Sequence, residues 1–327
     1  MTRDDVARHA GVSVAVVSYV VNDGPRTVAE ETRRRVLESI RELGYRPNAM
    51  ARALKRGRSE LIGLVVSDTT NPFFAEYGHA IEEAASERGL SVIFSNSALA
   101  QSQERDLVQK LVSRQVDGLL LASTQDEPEL GPALDGEVPV VLLDRASAMP
   151  GLVTIGTDFR AASARAVEHL IEHGHHRIGM VSGYTGGRTT SDREAGWADA
   201  LRSAGLERGP LVREAYGRDG GYDAGRRILR EPEPPTAIFA SSDLLAIGLV
   251  RAAHEAGVDI PSQLAVISFD GSAESQYSWP PLTTMRQPVR QMARAAVDAL
   301  AGRPAEHHGH EVFESELIIR VSCGCGP

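Results

Sequence analysis

The chain has 327 residues, too many for one ordinary hydrophobic core, so a small module with two further domains is expected. It contains no run of about 18 apolar residues that would span a membrane, and no apolar leader precedes the first predicted helix, so we expect a cytoplasmic location. Residues 1–60 contain 12 Lys and Arg against 8 Asp and Glu, a net charge of +4, whereas the whole chain carries −9. The remainder therefore carries −13, which argues against nucleic-acid binding by the body and indicates a phosphate-binding N-terminal module.

Two short helices joined by a tight turn are predicted at the N-terminus. Thr2 and Asp5 have the spacing of a capping box, Gly11 permits a sharp turn, and Ser13 is placed to cap the second helix. Any pair of short amphipathic helices gives this pattern, but the local positive charge favours a helix-turn-helix that reads the major groove of DNA. The outer face of the second helix would carry Val14, Ala15, Ser18, Tyr19 and Asn22.

A third helix is predicted from about residue 29 to 43, with Val36 and Ile40 on its buried face. Thr27 and Glu30 have capping-box spacing and are expected to set its start. Residues 48–56 can form one more short helix before a flexible joint at 57–59. Because so short a helix is marginal in water, it should become ordered only on binding a partner.

From Leu61 onward, buried apolar runs alternate with amphipathic helices. Continuous apolar strands separated by helices predict parallel sheets covered on both faces, and two such series predict two similar lobes. This pattern resembles the two-lobed, type I fold of periplasmic sugar-binding proteins. The predicted strands are 61–66, 91–94, 118–121, 138–143, 177–181, 211–213, 237–239 and 264–269, and the predicted helices are 74–88, 103–114, 161–173, 193–204, 222–230 and 244–256.

Ligands of parallel α/β sheets bind beyond the carboxyl ends of the strands, so polar side chains there are candidate ligand contacts. Carboxylates and arginines suit the hydroxyl groups of a sugar-like molecule, and aromatic rings suit its C–H surfaces. Asp243 is equally consistent with a helix cap, and Phe74 with a core aromatic. The candidates selected by this rule are Asp68, Asn71, Phe73, Phe74, Arg145, Arg193, Tyr216, Asp243 and Asp270.

Several motifs carry a family resemblance that extends along nearly the whole chain. The chain resembles the lactose/purine repressor (LacI) family of bacterial transcription regulators, so its expected class is α/β with a three-helix helix-turn-helix headpiece and a two-lobed periplasmic-binding-protein-like domain. The loop before the third helix has one residue more than is usual in the family, so the path of 24–28 does not follow from the resemblance. The matching segments are 5–13, 17–22, 45–54, 71–75, 283–288 and 317–320.

For the headpiece, the resemblance implies base contacts from Val14, Ala15 and Tyr19, and phosphate contacts from Ser18 and Asn22. Arginine is common in the family at the position of Tyr19 and grips a guanine with two hydrogen bonds. Tyrosine suits a thymine methyl or a water bridge instead, or it packs without reading a base. The operator is therefore expected to differ from the usual one at that base pair.

For the hinge, the resemblance implies a pair of helices in the minor groove, where Leu54 wedges between base steps and kinks the duplex. Ala51 leaves room for the two helices to meet, and Arg52 and Lys55 follow the phosphates. Two hinge helices require a homodimer, and a homodimer implies a palindromic operator. The alternative is that Leu54 packs on the sensor lobe.

For the body, the resemblance places the effector between the lobes, with Trp279 near the cleft. It implies a helix-turn-helix domain at 1–46, a hinge and linker at 47–58, and an effector-binding and dimerisation domain at 59–327. The N-lobe would comprise about 59–157 plus 288–316, and the C-lobe about 158–287 plus the C-terminal end. A solute-binding protein without a DNA role is the alternative function.

Cofactors, metals and catalysis are not expected. No Gly-x-Gly-x-x-Gly motif follows the first strand, and neither a P-loop nor a Gly-x-Ser-x-Gly turn occurs, so the chain is not expected to be an enzyme. Cys323 and Cys325 are expected in a frayed, solvated tail rather than in a metal site. The histidines at 173–176 and 307–310 are expected at a helix end and in a polar loop, without a metal.

Overall fold

The computed structural model describes residues 1–22, 27–46, 57–145, 147–184, 188–301 and 309–326. Contacts divide the chain into two compact units, Met1–Ser59 and Glu60–Pro327. The predicted hinge contacts Ala51, Arg52, Leu54 and Lys55 lie outside the described residues, as do residues 24–26 of the loop at 24–28. Among the described residues, no helix is both long enough and apolar enough to cross a membrane.

The first unit contains α1 (Arg3–Ala10), α2 (Val14–Asn22) and α3 (Glu30–Glu42). The predicted capping box is confirmed, because the backbone N–H of Thr2 donates to the Asp5 carboxylate at 2.8 Å and the Asp5 N–H donates to the Thr2 hydroxyl at 3.3 Å. Gly11 turns the chain with φ +62°, a conformation that glycine adopts at little cost. The Ser13 hydroxyl then accepts from Val16 N–H at 3.4 Å, as predicted for its cap.

The three helices enclose a small apolar core around Val6, Val17 and Val36, which are all fully buried. The predicted capping box of Thr27 and Glu30 is wrong. Helix α3 begins at Glu30 behind Ala29, which has no side-chain acceptor to offer. Glu30 and Glu31 instead place negative charge in the first turn, where it is favourable next to the helix N-terminus.

The second unit contains two six-stranded sheets, and the first has the order β11-β5-β4-β3-β1-β2. All its pairings are parallel. One face packs against α4 and α12 and the other against α5 and α6, which confirms the predicted double covering. Its elements are β1 (Leu61–Val66), α4 (Pro72–Ser86), β2 (Ser91–Asn96), α5 (Gln101–Ser113), β3 (Gly118–Leu121), α6 (Gly131–Asp135), β4 (Val140–Leu142), β5 (Val153–Thr157), α12 (Val289–Ala301) and β11 (Gly309–Phe313).

The second sheet has the order β12-β10-β9-β8-β6-β7, and among its described strands only β12 is antiparallel. Helices α7 and α8 pack on one face, and α9 and α10 pack on the other. Its elements are α7 (Phe159–Glu172), β6 (Ile178–Gly183), α8 (Arg188–Ser203), β7 (Leu211–Glu214), α9 (Arg218–Ile228), β8 (Ala237–Ala240), α10 (Asp243–Glu255), β9 (Ala265–Asp270), α11 (Ala273–Tyr277), β10 (Thr283–Arg286) and β12 (Glu316–Ile318).

The chain passes between the sheets after β5, after β10 and again between β11 and β12. The strands that the sequence did not predict lie next to these crossings. Strands β5, β10, β11 and β12 border the crossings, where the regular alternation of strand and helix stops. Helix α12 follows β10 in sequence but packs on the other sheet, with Met292, Ala296 and Val297 buried.

The C-terminal segment is anchored in the second lobe. Cys323 is fully buried in the core, and its sulfur accepts from the Thr283 hydroxyl at 3.1 Å. The Ser322 hydroxyl donates to Val266 C=O at 2.6 Å and accepts from Thr283 N–H at 2.8 Å. The predicted frayed, solvated tail is therefore wrong, because these contacts to β9 and β10 hold the segment against the sheet.

Candidate effector cavity and DNA-reading surface

A cavity lies between the two lobes of the second unit, at the carboxyl ends of their strands. It encloses about 770 Å³ of empty space, including its open mouth. Both lobes contribute charged and polar side chains together with aromatic rings. The lining residues are Ser67, Asp68, Asn71, Phe73, Phe74, Leu99, Ala122, Ser123, Thr124, Asp126, Asp144, Arg145, Thr189, Thr190, Arg193, Tyr216, Leu244 and Asp270.

Arg193 is the central cation of the cavity wall. Its side chain is buried, and its guanidinium carbon lies 4.7 Å from the ring centroid of Phe159 and 4.5 Å from that of Phe269. One guanidinium nitrogen donates to Tyr216 Oη at 2.8 Å, and another lies 3.5 Å from Asp270 Oδ1. The rings and polar partners hold the planar guanidinium in one orientation. In that orientation its N–H groups can donate to ligand oxygens.

Asp144 and Asp270 face this cation from opposite lobes, at the ends of β4 and β9. Their backbone φ angles are +53° and +105°, a region that side-chain-bearing residues rarely adopt and that clusters at binding sites. Burial raises the pKa of Asp270 well above its usual range, although Arg193 opposes the shift. Burial likewise raises the pKa of Asp144, against the effects of Arg193 and Arg145.

Arg145 organises the loop that follows β3. Its guanidinium donates to the carbonyl oxygens of Gln125 and Asp126, both at 2.6 Å. Next to this loop, the Ser123 hydroxyl donates to the Glu104 carboxylate at 2.8 Å, and burial raises the pKa of Glu104. The polar contacts of Arg145 and Ser123 thus hold this part of the N-lobe wall in place.

Some buried polar atoms have no partner among the described residues. They include Asp144 Oδ1 and Arg193 Nε in the cavity wall, and the Tyr77 hydroxyl behind it. A buried polar atom without a partner is costly, so a ligand that supplied donors and acceptors to the side chains of Asp144 and Arg193 would be favoured. The cavity is therefore suited to a polyhydroxylated ligand rather than to a purely apolar one.

Most of the predicted ligand residues come together in this cavity. The sequence rule failed to select the loop after β3, although that strand also ends at the same edge of its sheet. Applying the rule there would have selected Ser123, Thr124 and Asp126. The predicted residues that line the cavity are Asp68, Asn71, Phe73, Phe74, Arg145, Arg193, Tyr216 and Asp270.

Asp243, a predicted candidate for ligand contact, lies outside the cavity lining. Its carboxylate accepts from the hydroxyls of Ser268 at 2.5 Å and Thr284 at 2.8 Å. It also accepts from the backbone N–H and the hydroxyl of Ser272 at 2.7 and 2.8 Å. The cap of α10 is Ser242, so Asp243 is not the cap, and its carboxylate joins structural elements of the C-lobe outside the cavity lining.

Trp279, which the resemblance placed near the cleft, also lies outside the cavity lining. Its side chain is 89% exposed and does not line the cavity. It follows α11 on the loop that leads into β10, so it points into solvent rather than towards Arg193. The resemblance alone placed it near the cleft, and no strand-end rule supported that position.

Gly183 permits the Tyr216 ring to reach Arg193. A Cβ atom at Gly183 would lie 2.3 Å from the Tyr216 ring, so Gly183→Ala should push the ring away and weaken the 2.8 Å bond to Arg193. We expect the affinity for the cavity ligand to fall by about 5- to 150-fold, the equivalent of about 1–3 kcal/mol of overpacking. Calorimetric titration of the variant measures this loss.

Tyr216→Phe serves as the matched variant, since it removes the same bond without adding volume. If Gly183→Ala acts through Tyr216, the double variant should bind only slightly worse than either single variant. Fully additive losses would contradict this route.

On the first unit, the outer face of α2 is accessible. Val14 is 39% exposed, Ala15 is exposed, and Ser18 and Tyr19 are half-buried. The side chain of Asn22 lies outside the described residues. The two central positions of α2, Val17 and Val20, are buried, so the predicted division between an inner and an outer face is present.

Comparisons with known proteins agree with this architecture. A sequence profile of the bacterial regulatory proteins of the lacI family matches residues 2–48, and one of the periplasmic binding protein-like domain matches residues 167–323. The HTH-type transcriptional repressor PurR of Photobacterium profundum is 34% identical over 328 residues, covering 98% of this chain and 98% of that protein. The chain belongs to the LacI family of bacterial regulatory proteins.

Solved structures of transcription regulators share the fold over the full length. The lac repressor dimer bound to operator and the anti-inducer ONPF matches with a TM-score of 0.88 and 27% identity, covering 99% of both chains. A complex of the transcriptional regulator CelR with cellobiose matches with a TM-score of 0.70 and 30% identity, covering 98% of this chain and 99% of that one. This LacI-family chain is accordingly a DNA-binding transcriptional regulator.

Proposed function

We propose that this regulator is a dimeric repressor of palindromic operators whose DNA affinity is set by a sugar-like effector in the cavity between the lobes. The observation that carries the proposal is the buried Arg193 in the cavity wall, next to Asp270 of its own lobe and with Asp144 of the other lobe in the same lining. On the DNA side, Val14, Ala15 and Tyr19 would contact base edges, and Ser18 and Asn22 would contact phosphates. The proposal assigns residues 1–46 to the helix-turn-helix domain, 47–58 to the hinge and linker, and 59–327 to the effector-binding and dimerisation domain.

The hinge is the proposed link between effector and DNA. Leu54 would insert into the minor groove beside its counterpart from a second copy, while Ala51 allows the close approach and Arg52 and Lys55 neutralise phosphates. Unstacking a base step costs a few kcal/mol, which contacts to the bent duplex offset. Closure or opening of the lobes around the effector would favour or oppose hinge folding in both protomers.

The effector proposal follows from the chemistry of the wall. Asp144, Arg193 and Asp270 provide charged groups for hydroxyls, and Phe74 and Tyr216 provide rings for C–H surfaces. Cellobiose in CelR is a sugar bound by a full-length structural relative. A panel of mono- and disaccharides is therefore the first ligand set to screen by thermal shift.

The test is reciprocity between the two sites. An operator is selected in vitro from palindromic fragments, and the affinity of the best sugar is measured by calorimetry with and without saturating operator. If the effector changes operator affinity by a given factor, the operator must change effector affinity by the same factor, commonly about 5- to 150-fold. Operator affinity should also fall with salt, by about 0.9 in log K per phosphate contact for each unit of log salt concentration.

A shuffled, non-palindromic fragment of equal length is the DNA control, and a sugar outside the thermal-shift hits is the ligand control. Equal effector affinity with and without operator would contradict effector control of DNA binding. Failure to select any palindromic fragment would contradict the repressor proposal itself.

A further inference from the structure

Two histidines and a cysteine converge at the end of α7 in the C-lobe. His169 lies in the last turn of the helix, His173 is its C-terminal cap, and Cys325 comes from the anchored C-terminal segment. The Cys325 sulfur lies 3.4 Å from His169 Nε2 and 3.2 Å from His173 Nε2. One ligand atom from each residue lies within 4.8 Å of the other two. We call these residues the His–Cys cluster.

These separations are those of ligands that share one metal ion. Zinc binds thiolate sulfur at about 2.3 Å and imidazole nitrogen at about 2.0–2.1 Å, so a tetrahedral site separates sulfur from nitrogen by about 3.5 Å. Residues four apart lie one above the other on a helix, which brings His169 and His173 to the same side of α7. Their ring centroids are 4.6 Å apart.

The backbone, not a chance side-chain rotation, brings Cys325 to this place. Cys323 is buried in the C-lobe core, and Ser322 is hydrogen-bonded to Val266 and Thr283. Cys325 follows two residues later, so its approach to α7 is set by the anchored segment. His175, in contrast, is hydrogen-bonded to Thr236 at 2.9 Å and does not belong to the cluster.

We propose that the His–Cys cluster binds one zinc-like divalent ion per protomer and thereby fastens the C-terminal segment to α7. Thiolate and imidazole favour borderline metals of this kind over Mg²⁺ and Ca²⁺, which prefer oxygen ligands. Three protein ligands leave a fourth position for water or an external ligand. The site is distinct from the effector cavity, because none of its residues lines that cavity.

Metal binding requires the Cys325 thiolate, so a thiol that is protonated in the metal-free protein must release its proton to solvent. Affinity for the ion should therefore increase with pH.

The test uses full-length protein that has been reduced, treated with chelator and desalted. The protein should carry His307→Gln and His308→Gln as a common background, so that added metal bound by two adjacent histidines does not contribute to the titration. Titration with Co²⁺ should produce a thiolate-to-cobalt charge-transfer band that saturates at one ion per protomer. Zn²⁺ should displace the cobalt and raise the unfolding temperature, because an ion that binds only the folded state stabilises it.

His173→Gln and Cys325→Ser are the test variants, and His176→Gln, at an exposed histidine three residues along, is the matched control. Each test variant should weaken Zn²⁺ binding at least about tenfold, and Cys325→Ser should abolish the cobalt band. The control should bind as the background protein does. Absence of the band in the background protein, or unchanged Zn²⁺ affinity in His173→Gln, would overturn the proposal.

Discussion

Replacing the central cation of the effector cavity should be costly for both stability and binding. Arg193→Ala leaves the Asp270 carboxyl buried without the cation that lies 3.5 Å from it, and it opens space between the rings of Phe159 and Phe269. We expect the free energy of unfolding of the body to fall by about 3–5 kcal/mol, the usual cost of removing one partner of a buried ion pair. Urea unfolding of the full-length protein measures the loss, and binding of any sugar from the panel should disappear.

The cost should depend on pH through Asp270. Its pKa in the folded protein already lies above the ordinary value of 3.8, and loss of Arg193 removes an effect that lowers it. Below that ordinary value, the carboxyl is protonated in both the folded and the unfolded states, so its contribution to stability is fully present. As the pH rises towards the pKa of Asp270 in the folded protein, the carboxyl ionises in the unfolded state but stays protonated in the folded state. The free energy of unfolding therefore falls. The stability difference between wild type and Arg193→Ala should therefore grow from acidic to neutral pH.

Arg218→Ala is the matched control for this experiment. Its 2.5 Å ion pair with Glu274 has both side chains nearly half exposed, so its removal should cost no more than about 1 kcal/mol. A loss in Arg193→Ala as small as that in the control, or a loss independent of pH, would contradict the assigned role of the buried pair.

The second large effect is expected in the headpiece. Val36 is fully buried at the centre of its core, so Val36→Asn should cost about 3–5 kcal/mol, from lost apolar burial and an unpaired buried amide. A module of roughly 60 residues has only about 3–9 kcal/mol of stability in total. We expect headpieces of the variant to be largely unfolded and operator affinity to fall at least about tenfold.

Leu37→Asn is the matched control, because Leu37 is the next residue on α3 and is 40% exposed. It should retain operator binding. Limited proteolysis should cleave the headpiece of Val36→Asn while leaving the body intact, and binding of the effector should persist. A variant Val36→Asn that bound the operator with wild-type affinity would contradict the assignment of this core to the DNA-binding unit.

Local chemistry explains why the headpiece was predictable. The capping box of Thr2 and Asp5, the turn at Gly11 and the cap at Ser13 each depend on residues within a few positions of one another. Thr27 is not the cap, because α3 begins at Glu30 behind Ala29. There Glu30 and Glu31 place acidic side chains in the first turn of the helix. Capping patterns identify a helix end well but do not choose between two neighbouring ends.

The strand-end rule located most of the cavity, since it requires only the order of strands and helices. It did not separate Asp243 from Asp270, because both are acids beside the ends of C-lobe strands. Only the folded chain shows that hydroxyls of Ser268, Ser272 and Thr284 surround Asp243, whereas Asp270 faces Arg193. Residues that contact one another here lie up to 77 positions apart in the sequence, as Arg193 and Asp270 do. A local sequence pattern therefore cannot predict these contacts.

The sequence by itself determined the class of the protein, its basic N-terminal module, the two series of strands and helices, and the residue types at their ends. These features depend on composition, periodicity and short spacings, all of which can be read along one chain. The tertiary structure decided which acids line the cavity, how Asp243 is used instead, and that Cys325 meets the histidines of α7. These depend on contacts between distant segments, which form only when both sheets have packed.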